Sequence, residues 1–432
     1  MILDLSISNF RSIKDRQTIS FIAESSTHLD DYYVVKKGKY RILKLISILG
    51  PNASGKSNFL RGFQFLRRLV IHPLENKGSK IQYEPFLLDD DYKNAESSIE
   101  INFICGDSKF TYSLQFNNNF ILKEIITRQG LEDLRAHKVL DRTTDIEKGI
   151  AYITWGNKYR NTPNKEGLLN NLLPNRTVFG AYMKSNVDIP WMKEVCDWFG
   201  EYMLPNIDPH NQNLQDFVAK EIHNGKINHT LLKDLLKKAD IGVADLTLEV
   251  LKTPIPKEVL EVILNDDDLP SDVRERLSSD PTSTDYRISL LHNGTNGPVA
   301  LKFEDESEGT QRYFELSGIL LKMVQENHFL AIDELECRLH PDLYRYFITS
   351  FLSNSHESQL IFTTHLREFL YSPEDFRMDS VWFAEKDSQG ATELYSLAHF
   401  DKRDIKELPN LFWAYKTGRL GAVPSLGDTG IN

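Results

Sequence analysis

Cysteine is scarce in this sequence of 432 residues, and its three cysteines lie far apart. Cys105, Cys196 and Cys337 form no CxxC pair, and their number is odd. A small and scattered set is typical of a protein from a reducing compartment. The sequence therefore argues against a disulfide framework and against a cysteine-built metal clip.

Long apolar runs are also missing. No stretch of 18 consecutive apolar residues occurs, which argues against a membrane-spanning helix. The start, MILDLSISNF, lacks the basic segment followed by an apolar core that marks a signal peptide. We therefore expect a cytoplasmic protein with no membrane partner.

Positive charge is in deficit, because 51 Lys and Arg residues face 62 Asp and Glu residues, for a net charge of −11. This balance disfavours coating of nucleic acid by the whole surface. Two local basic segments remain as candidates, KKGKYRILK (36–44) and RGFQFLRRL (61–69). A solvated hairpin and an ordinary helix face are the simpler interpretations of these two segments.

The segment 43–57 carries the strongest positive signal. LKLISIL (43–49) is typical of a buried strand, and the eight residues that follow match G-x-x-x-x-G-K-[ST]. Apolar residues then repeat at helical spacing from Phe59 to Val70. The eight residues are Gly50, Pro51, Asn52, Ala53, Ser54, Gly55, Lys56 and Ser57.

This pattern predicts a nucleotide site. Backbone N–H groups of a glycine loop and of a helix N-terminus can cradle phosphate oxygens. Lys56 would reach the β- and γ-phosphates, and the Ser57 hydroxyl would ligate Mg²⁺. The alternative is a plain glycine turn.

A P-loop needs an acidic strand end to hold the metal, and HFLAIDEL (328–335) supplies one. Asp333 would hold the hydrated Mg²⁺, and Glu334 would polarise the attacking water. Two adjacent carboxylates that merely form a turn are the alternative. More than half of the chain separates Lys56 from Asp333, so a large segment is inserted between the two halves of the site.

Two segments flank the acidic pair. ESEGTQRYFELSGILLKMV (306–324) predicts an amphipathic helix whose start, with Ser307 and Gly309, would form a second anion-binding N-terminus. SQLIFTTHL (358–366) predicts a buried strand that ends at His365, a residue that could donate a hydrogen bond to a γ-phosphate. A helix cap and a structural histidine are the simpler interpretations of each segment alone.

We predict a chain in three parts. Residues 1–160 would be the N-terminal part of an ATPase head, with the P-loop and an antiparallel meander whose alternating pattern runs from Ser97 to Gln129. Residues 161–283 would be a mainly helical insertion lobe, since sustained heptads for a long coiled coil are missing. Residues 284–432 would be the C-terminal part of the head. His223, His229 and His340 are not clustered with other ligand-type residues, so we interpret them as structural.

The order of these motifs resembles that of the ABC-class ATPases of the SMC, RecF and OLD type. The shared segments are ISNFRSI, the P-loop, ESEGTQ, LAIDE, ECRLHP and FTTH, followed by WFAEKDSQGATELYSL and AYKTGRLGAVP near the C-terminus. AAA-type ATPases with an OLD-like head, such as the phage-defence proteins RloA and AriA, look most similar. The resemblance covers about residues 1–125 and 284–425.

The resemblance implies an α/β fold, namely a P-loop head of the ABC type with a mixed central sheet and an antiparallel β-subdomain. It assigns Walker A to Lys56 and Ser57, with the neighbouring Asn58, and Walker B to Asp333, with Glu334 as the general base. Ser307 and Gly309 would be the signature motif that completes the site of a second subunit. Segment 335–341 would be the D-loop, His365 the switch histidine, and Arg11 a residue that approaches the nucleotide.

The sequence departs from the pattern in two respects. Glu308 and Thr310 stand where transporter-type signatures carry Gly and Gln, so the contact to the second subunit is expected to differ in detail. The Q-loop glutamine has two weak candidates, Gln82 and Gln115.

We therefore expect an ATPase that uses ATP and Mg²⁺, closes head-to-tail on a second copy of itself, and controls a separate effector, a toxin or nuclease, in anti-phage defence. We expect no nuclease domain of the OLD type, because the 432 residues would leave no space for one. One alternative is a DNA-repair ATPase of the RecF or SMC type that binds DNA in an ATP-dependent way. A second is a scaffold that binds ATP without hydrolysing it. DNA or a phage component stays open as a further partner.

Overall fold

A computed structural model describes residues 1–209, 214–265, 271–400 and 410–424 of the chain. The chain forms two compact units. The first comprises Met1–Pro209, Glu326–Cys337 and Ile348–Asn432, and the second comprises His210–Gln325 and Arg338–Phe347. Residues 401–409 and 425–432 of the predicted C-terminal part lie outside the described residues.

Runs of strands and runs of helices follow one another along the described chain. The strands are β1 (Ile2–Ser8), β2 (Gln17–Ser20), β3 (Val34–Lys37), β4 (Tyr40–Leu43), β5 (Leu45–Leu49), β6 (Ser97–Cys105), β7 (Ser108–Phe116), β8 (Ile121–Gly130), β9 (His137–Asp145), β10 (Ile150–Trp155), β11 (Val243–Pro254), β12 (Thr282–Gly294), β13 (Gly297–Lys302), β14 (Phe329–Ile332), β15 (Gln359–Thr364), β16 (Val381–Lys386) and β17 (Thr392–Ser396). The α-helices are α1 (Asp30–Tyr33), α2 (Lys56–Ile71), α3 (Asp90–Lys93), α4 (Lys165–Asn170), α5 (Val178–Met183), α6 (Pro190–Asp197), α7 (Leu214–His223), α8 (His229–Lys238), α9 (Lys257–Leu264), α10 (Ser271–Ser279), α11 (Glu308–Gln325), α12 (Pro341–Asn354) and α13 (Leu411–Lys416).

A five-stranded mixed sheet lies at the centre of the first unit, in the order β14-β15-β5-β16-β17. The first four strands are parallel, and β17 runs antiparallel to β16. Every residue of β5, β14 and β15 is buried, as expected for parallel strands covered on both faces. Because parallel strands end at the same edge, the residues that follow Leu49, Ile332 and Thr364 meet there.

Helix α2 follows β5 directly and confirms the predicted helix. Its apolar face, from Phe59 to Val70, is buried. Gly62 allows a close approach to β1, because a Cβ at this position would lie 2.1 Å from Cδ1 of Ile7. The approach packs the helix against the second sheet of the unit as well as against β14 and β15.

That second sheet has seven strands in the order β10-β9-β8-β7-β6-β1-β2, and each neighbouring pair is antiparallel. The strands β6 to β8 confirm the predicted meander. On its buried face, aromatic rings from β6 and β7 stack on rings from the segment 179–199, as Phe103 does on Trp198 with ring centroids 4.2 Å apart. These rings form part of a core that is continuous with α2 and the central sheet.

A charged cluster closes one end of this core. The Arg142 guanidinium on β9 is fully buried and donates to the carbonyl oxygens of Ile121, Leu173, Pro174 and Arg176. Its Nε lies 3.9 Å from a carboxylate oxygen of Glu124, which is also fully buried.

Glu124 in turn has partners on both carboxylate oxygens. They accept hydrogen bonds from the N–H of Val178 at 3.0 and 2.9 Å, and one accepts a bond from the Tyr112 hydroxyl at 2.7 Å. Burial raises the pKa of Glu124, and Arg142 opposes that shift. The cluster ties the meander to the start of α5.

The second unit combines helices with the three-stranded antiparallel sheet β11-β12-β13. Helices α7 and α8 pack on this sheet and on α11. A buried ion pair between Lys322 of α11 and Glu221 of α7, 2.7 Å long, joins two of the helices.

Within residues 161–283, which the sequence predicts to be mainly helical, α8 is one of the helices, but the helical interpretation missed β11. The units also differ from the predicted boundaries, because residues 161–209 pack in the first unit and residues 284–325 in the second. The division into 1–160, 161–283 and 284–432 stays a prediction.

The predicted α/β fold class is confirmed: in the described residues the chain has a mixed central sheet, an antiparallel β-sheet and an inserted lobe. The segment 36–44 falls on the hairpin β3–β4, as its simpler interpretation predicts. In the part of the chain that the structure describes, no helix is both long enough and apolar enough to cross a membrane.

Candidate functional site

The loop between β5 and α2 is shaped by glycines. Gly55 has φ 99° and ends the loop at the start of the helix, a conformation that strongly favours glycine. A Cβ on Gly55 would lie 1.9 Å from Oγ1 of Thr392, and one on Gly50 would lie 2.2 Å from the carbonyl oxygen of Ala384. Glycine is required at both positions because residues of β16 and β17 lie against the loop and leave no space for a side chain.

Lys56 begins α2 and is buried. Its Nζ donates to the carbonyl oxygens of Gly50 and Pro51 at 2.8 and 2.9 Å, so the side chain folds back over its own loop. Burial lowers the pKa of Lys56 to about 8, and the nearby carboxylates of Asp333 and Glu334 oppose this shift. A buried ammonium with neutral partners is a strong site for an anion.

The acidic pair stands where β14 ends. Asp333 Oδ1 accepts a hydrogen bond of 2.6 Å from the Thr363 hydroxyl, and that hydroxyl oxygen accepts one of 2.8 Å from the N–H of Glu334. Glu334 has φ 49°, in the left-handed region, so the chain turns sharply there. Strand β15, which carries Thr363, lies between β14 and β5 and thereby sets the acidic pair opposite the loop.

His365 follows β15 at the same edge. Its Nε2 lies 4.0 Å from Oε1 of Glu334, and both side chains are partly exposed. The N–H of His365 donates a hydrogen bond of 2.5 Å to Oε1 of Glu336. The imidazole and the Glu334 carboxylate are therefore neighbours.

These elements enclose a cavity of about 330 Å³. Of the predicted site residues, the cavity brings together those of the loop, the acidic pair and the histidine, and it adds Arg61, which the sequence reasoning did not assign to the site. Its lining residues are Asn52, Ala53, Ser54, Gly55, Lys56, Ser57, Asn58, Arg61, Asp333, Glu334 and His365. Arg61 donates to Oδ1 of Asn58 at 3.2 Å and forms no ion pair with a described residue.

The remaining predicted site residues do not line the cavity. The carbonyl groups of Gly50 and Pro51 hold Lys56 instead. Arg11 forms an ion pair with Glu84 at 3.3 Å, and its N–H donates to the carbonyl oxygen of the same residue. The two candidate Q-loop glutamines, at 82 and 115, are exposed and are also absent from the lining.

A hydroxyl network that the sequence reasoning missed supports the loop. Thr392 is buried, and its hydroxyl donates to the carbonyl oxygen of Ser54 at 2.9 Å and lies 2.8 Å from Oγ of Ser12. Asn58 Nδ2 donates to the same Ser12 oxygen at 2.8 Å. Ser12 adjoins Arg11 in the ISNFRSI segment, so this N-terminal segment reaches the loop through Ser12.

The second unit carries the segment predicted as the signature motif. The Ser307 hydroxyl caps α11 by accepting from the N–H of Thr310 at 3.1 Å. Ser307 and Glu308 are exposed, and Gly309 is half-buried. Arg338 forms an ion pair of 3.5 Å with Glu308, and its carbonyl oxygen would lie 3.1 Å from a Cβ on Gly309.

The donor set in the cavity suits a phosphate–magnesium ligand. Ser57 and Asp333 offer a hydroxyl and a carboxylate, which are the oxygen ligands that Mg²⁺ prefers. The Ser54 hydroxyl also lines the cavity and is buried without a hydrogen-bond partner among the described residues. In the part of the chain that the structure describes, no group of three or more His, Cys, Asp or Glu side chains could hold a metal by itself.

The chain is similar in structure to several SMC heads. One is an SMC head bound to the C-winged helix domain of ScpA, with 15% identity, 91% of this chain and 97% of that chain covered, and a TM-score of 0.43. The SMC head domain from Thermotoga maritima has 13% identity, covers 91% and 98%, and scores 0.38. An SMC head from Pyrococcus furiosus, with an extended coiled coil and the C-terminal domain of ScpA, has 12% identity, covers 97% and 98%, and scores 0.43.

No curated protein matches the chain in a sequence comparison. A family does match, over residues 45–148 and 227–370, and its description is "AAA domain, putative AbiEii toxin, Type IV TA system". The first matched segment contains the P-loop, and the second contains the acidic pair, the segment of Ser307 and Gly309, and His365. Since the two segments make up more than half of the chain, the chain belongs to this family of AAA domains.

Proposed function

We propose that this chain is an Mg²⁺-dependent ATPase that closes on a second copy of itself around ATP and acts as a switch for a separate effector. The observation that carries this proposal is the cavity at the carboxyl edge of the central sheet. There, the P-loop with Lys56, the acidic pair and His365 line one space. Separate parts of the sequence supply a phosphate cradle, oxygen ligands and a base.

Lys56 and the loop N–H groups would bind the β- and γ-phosphates of ATP. The phosphate oxygens would replace the two loop carbonyls as partners of the Lys56 ammonium, which is an exchange of neutral for charged acceptors. Ser57 and Asp333 would ligate Mg²⁺, which when bound would neutralise charge on the phosphates.

Glu334 would take the proton of the attacking water as the general base. Its carboxylate is suited to this role because it is partly exposed at the cavity, whereas Asp333 is engaged by the Thr363 hydroxyl. His365, 4.0 Å from Glu334, would donate a hydrogen bond to the γ-phosphate and hold the reacting groups in line.

Assembly of two subunits is supported by the exposed start of α11. Ser307 and Gly309 stand at the N-terminus of a helix of 18 residues, where N–H groups attract anions. In the proposed dimer they would contact the γ-phosphate held by the partner. ATP would then favour the closed state, and hydrolysis would reopen it.

Control of an effector is supported by two resemblances. The sequence looks similar to the RloA and AriA phage-defence ATPases, and the family description names a type IV toxin–antitoxin system. We therefore propose that the nucleotide state governs a separately encoded toxin or nuclease in anti-phage defence. This step rests on analogy with related proteins.

The test uses Glu334→Gln and Lys56→Met, with the exposed Glu147→Gln as control. Glu334→Gln should bind ATP but lower kcat at least about a hundredfold, because it removes the base. Lys56→Met should weaken ATP binding about a hundredfold, because it removes a charged hydrogen-bond donor. Light scattering should show ATP-dependent dimers of Glu334→Gln and monomers of the double variant Glu334→Gln/Ser307→Arg.

If Glu334→Gln hydrolyses ATP at the wild-type rate, the role of Glu334 as the general base is contradicted. The alternative of a scaffold that binds ATP without hydrolysing it then remains. A wild-type protein that hydrolyses ATP at full rate as a strict monomer contradicts the assembly. Salt-sensitive binding to DNA ends that requires ATP would favour the repair ATPase instead.

A further inference from the structure

Glu336 is a third carboxylate at the acidic strand end, two residues beyond Glu334. The sequence assigns it only to the D-loop segment 335–341. In the structure its Oε1 accepts the 2.5 Å hydrogen bond from the N–H of His365. Its Oε2 is buried and has no hydrogen-bond partner among the described residues.

The carboxylate links the turn after β14 to the segment after β15, and Thr363 on β15 also bonds to that turn. That residue holds Asp333 and Glu334 by its hydroxyl, and its carbonyl oxygen accepts from the N–H of Leu335 at 3.1 Å. All three of these bonds end on β15 itself. The bond from Glu336 reaches one step further, to the backbone of His365, beyond the last residue of β15.

His365 has little other support. Its N–H bonds to Glu336, and its imidazole lies 4.0 Å from Glu334 while remaining about a third exposed. Because the imidazole is exposed, its position depends on how firmly the backbone of its loop is held. A charged acceptor gives a shorter and stronger bond than a neutral one, so the carboxylate is a strong anchor for this N–H.

We propose that Glu336 is a positioning residue, which fixes the backbone of His365 so that its imidazole stands beside the Glu334 carboxylate in the reacting site. The inference rests on the proposed hydrolytic function. The turn after β14 and the loop after β15 then move as one rigid body. Glu334 and His365 therefore keep their distance from each other when ATP binds.

The test compares Glu336→Ala and Glu336→Gln with the exposed Glu147→Ala as control, in the full-length chain. Glu336→Ala should lower kcat about tenfold to a hundredfold, because displacements of about 1 Å cost that much, and should change ATP affinity less than about twofold. Glu336→Gln keeps an acceptor oxygen for the same N–H and should retain most of kcat. Glu147→Ala should behave as the wild type.

A double-mutant cycle with His365→Ala separates positioning from general damage. If Glu336 acts through His365, Glu336→Ala should cost less than about twofold in kcat once the imidazole is gone. NMR of ¹⁵N-histidine-labelled protein should show the His365 amide proton, assigned by its loss in His365→Ala, shifted upfield in Glu336→Ala and unmoved in Glu147→Ala.

Additive losses in the double variant, an unmoved amide signal, or a loss in ATP affinity with kcat intact each overturn the positioning role. If the wild type hydrolyses ATP and Glu336→Ala hydrolyses it equally well, the positioning role of Glu336 is contradicted, but the proposed ATPase function is not. A wild-type protein that binds ATP and never turns it over removes the proposed hydrolytic function and this inference with it.

Discussion

Arg142 and Lys56 are two of the buried basic side chains of the first unit, and their surroundings differ. Arg142 is fully buried, donates to four carbonyl groups and lies 3.9 Å from the buried Glu124 carboxylate. Lys56 is also buried, but its Nζ has only two carbonyl partners, and both belong to the loop that it caps. One cation is permanently engaged by the fold, and the other keeps partners that a phosphate can replace.

The pKa values show the same difference. Burial lowers the pKa of Arg142 to about 10, with Glu124 and Tyr112 opposing the shift, so the guanidinium stays charged at neutral pH. Burial lowers the pKa of Lys56 to about 8, which brings its titration close to neutral pH. The four carbonyl acceptors and the carboxylate around Arg142 are fixed parts of the fold, whereas Lys56 lies at the cavity, where a phosphate could replace its two carbonyl partners.

The largest expected effect comes from breaking the Arg142–Glu124 cluster. Arg142→Met should lower the free energy of unfolding by about 3–5 kcal/mol, because it leaves the Glu124 carboxylate buried without its cation. Chemical denaturation of the variant and of the exposed Lys148→Met control, expected within about 0.5 kcal/mol of the wild type, measures this.

The double variant Arg142→Met/Glu124→Gln should recover part of the loss, because the uncompensated charge is gone. Equal stability of Arg142→Met and wild type would show that the cluster is no anchor of the fold. The comparison with Lys56 would then fail.

The second effect concerns pH and Lys56. A bound phosphate would raise the pKa of Lys56 again, so ATP binding should take up a proton above pH 8. The affinity for ATP should therefore fall about tenfold from pH 7 to pH 9.

The same group affects the stability of the fold. The folded-state pKa of Lys56 lies below the usual value of 10.5, so the contribution of Lys56 to the free energy of unfolding rises with pH between about 8 and 10.5.

Titration calorimetry in two buffers of different ionisation enthalpy measures the proton uptake. Lys56→Met should bind weakly with no pH dependence over the same range. Wild-type affinity that stays constant from pH 7 to pH 9 would contradict the exchange of carbonyl partners for phosphate.

The smallest effect concerns the hydroxyl network behind the loop. Thr392→Val removes the bond to the Ser54 carbonyl and leaves Ser12 with one partner fewer, at nearly unchanged volume. It should raise the KM for ATP about fivefold, which corresponds to one neutral hydrogen bond. Thr392→Ser keeps the hydroxyl and serves as the control. An unchanged KM in Thr392→Val would mean that the glycine geometry alone shapes the loop.

Local patterns predicted the parts of the site that lie within one segment. The run LISIL, the glycine loop and the periodic face of α2 are adjacent in the chain, and each follows a short-range rule. The acidic pair after FLAI was predicted in the same way. Strand β11 was missed although Leu246, Leu248 and Val250 alternate in it, because the neighbouring helical pattern dominated the interpretation of the whole segment.

Two of the missed residues, Thr392 and Glu336, share another property: their roles depend on contacts between distant segments. Thr392 lies 380 positions from Ser12, and Glu336 lies 29 positions from His365. A threonine or a glutamate in isolation carries no signal for such a contact. For Arg11 the motif predicts a nucleotide contact, which stays a prediction; in the structure Arg11 forms an ion pair with Glu84.

The sequence by itself therefore determined the phosphate loop, the acidic strand end and the α/β class of the fold, since short-range periodicity and turn chemistry encode all three. Only the tertiary structure decided which polar side chains support these elements, because the packing of the strands of the central sheet sets Thr363 beside Asp333 and brings Thr392 behind Gly55. The physical reason is that hydrogen bonds act over about 3 Å, and chain positions hundreds of residues apart reach that distance only after the core has formed.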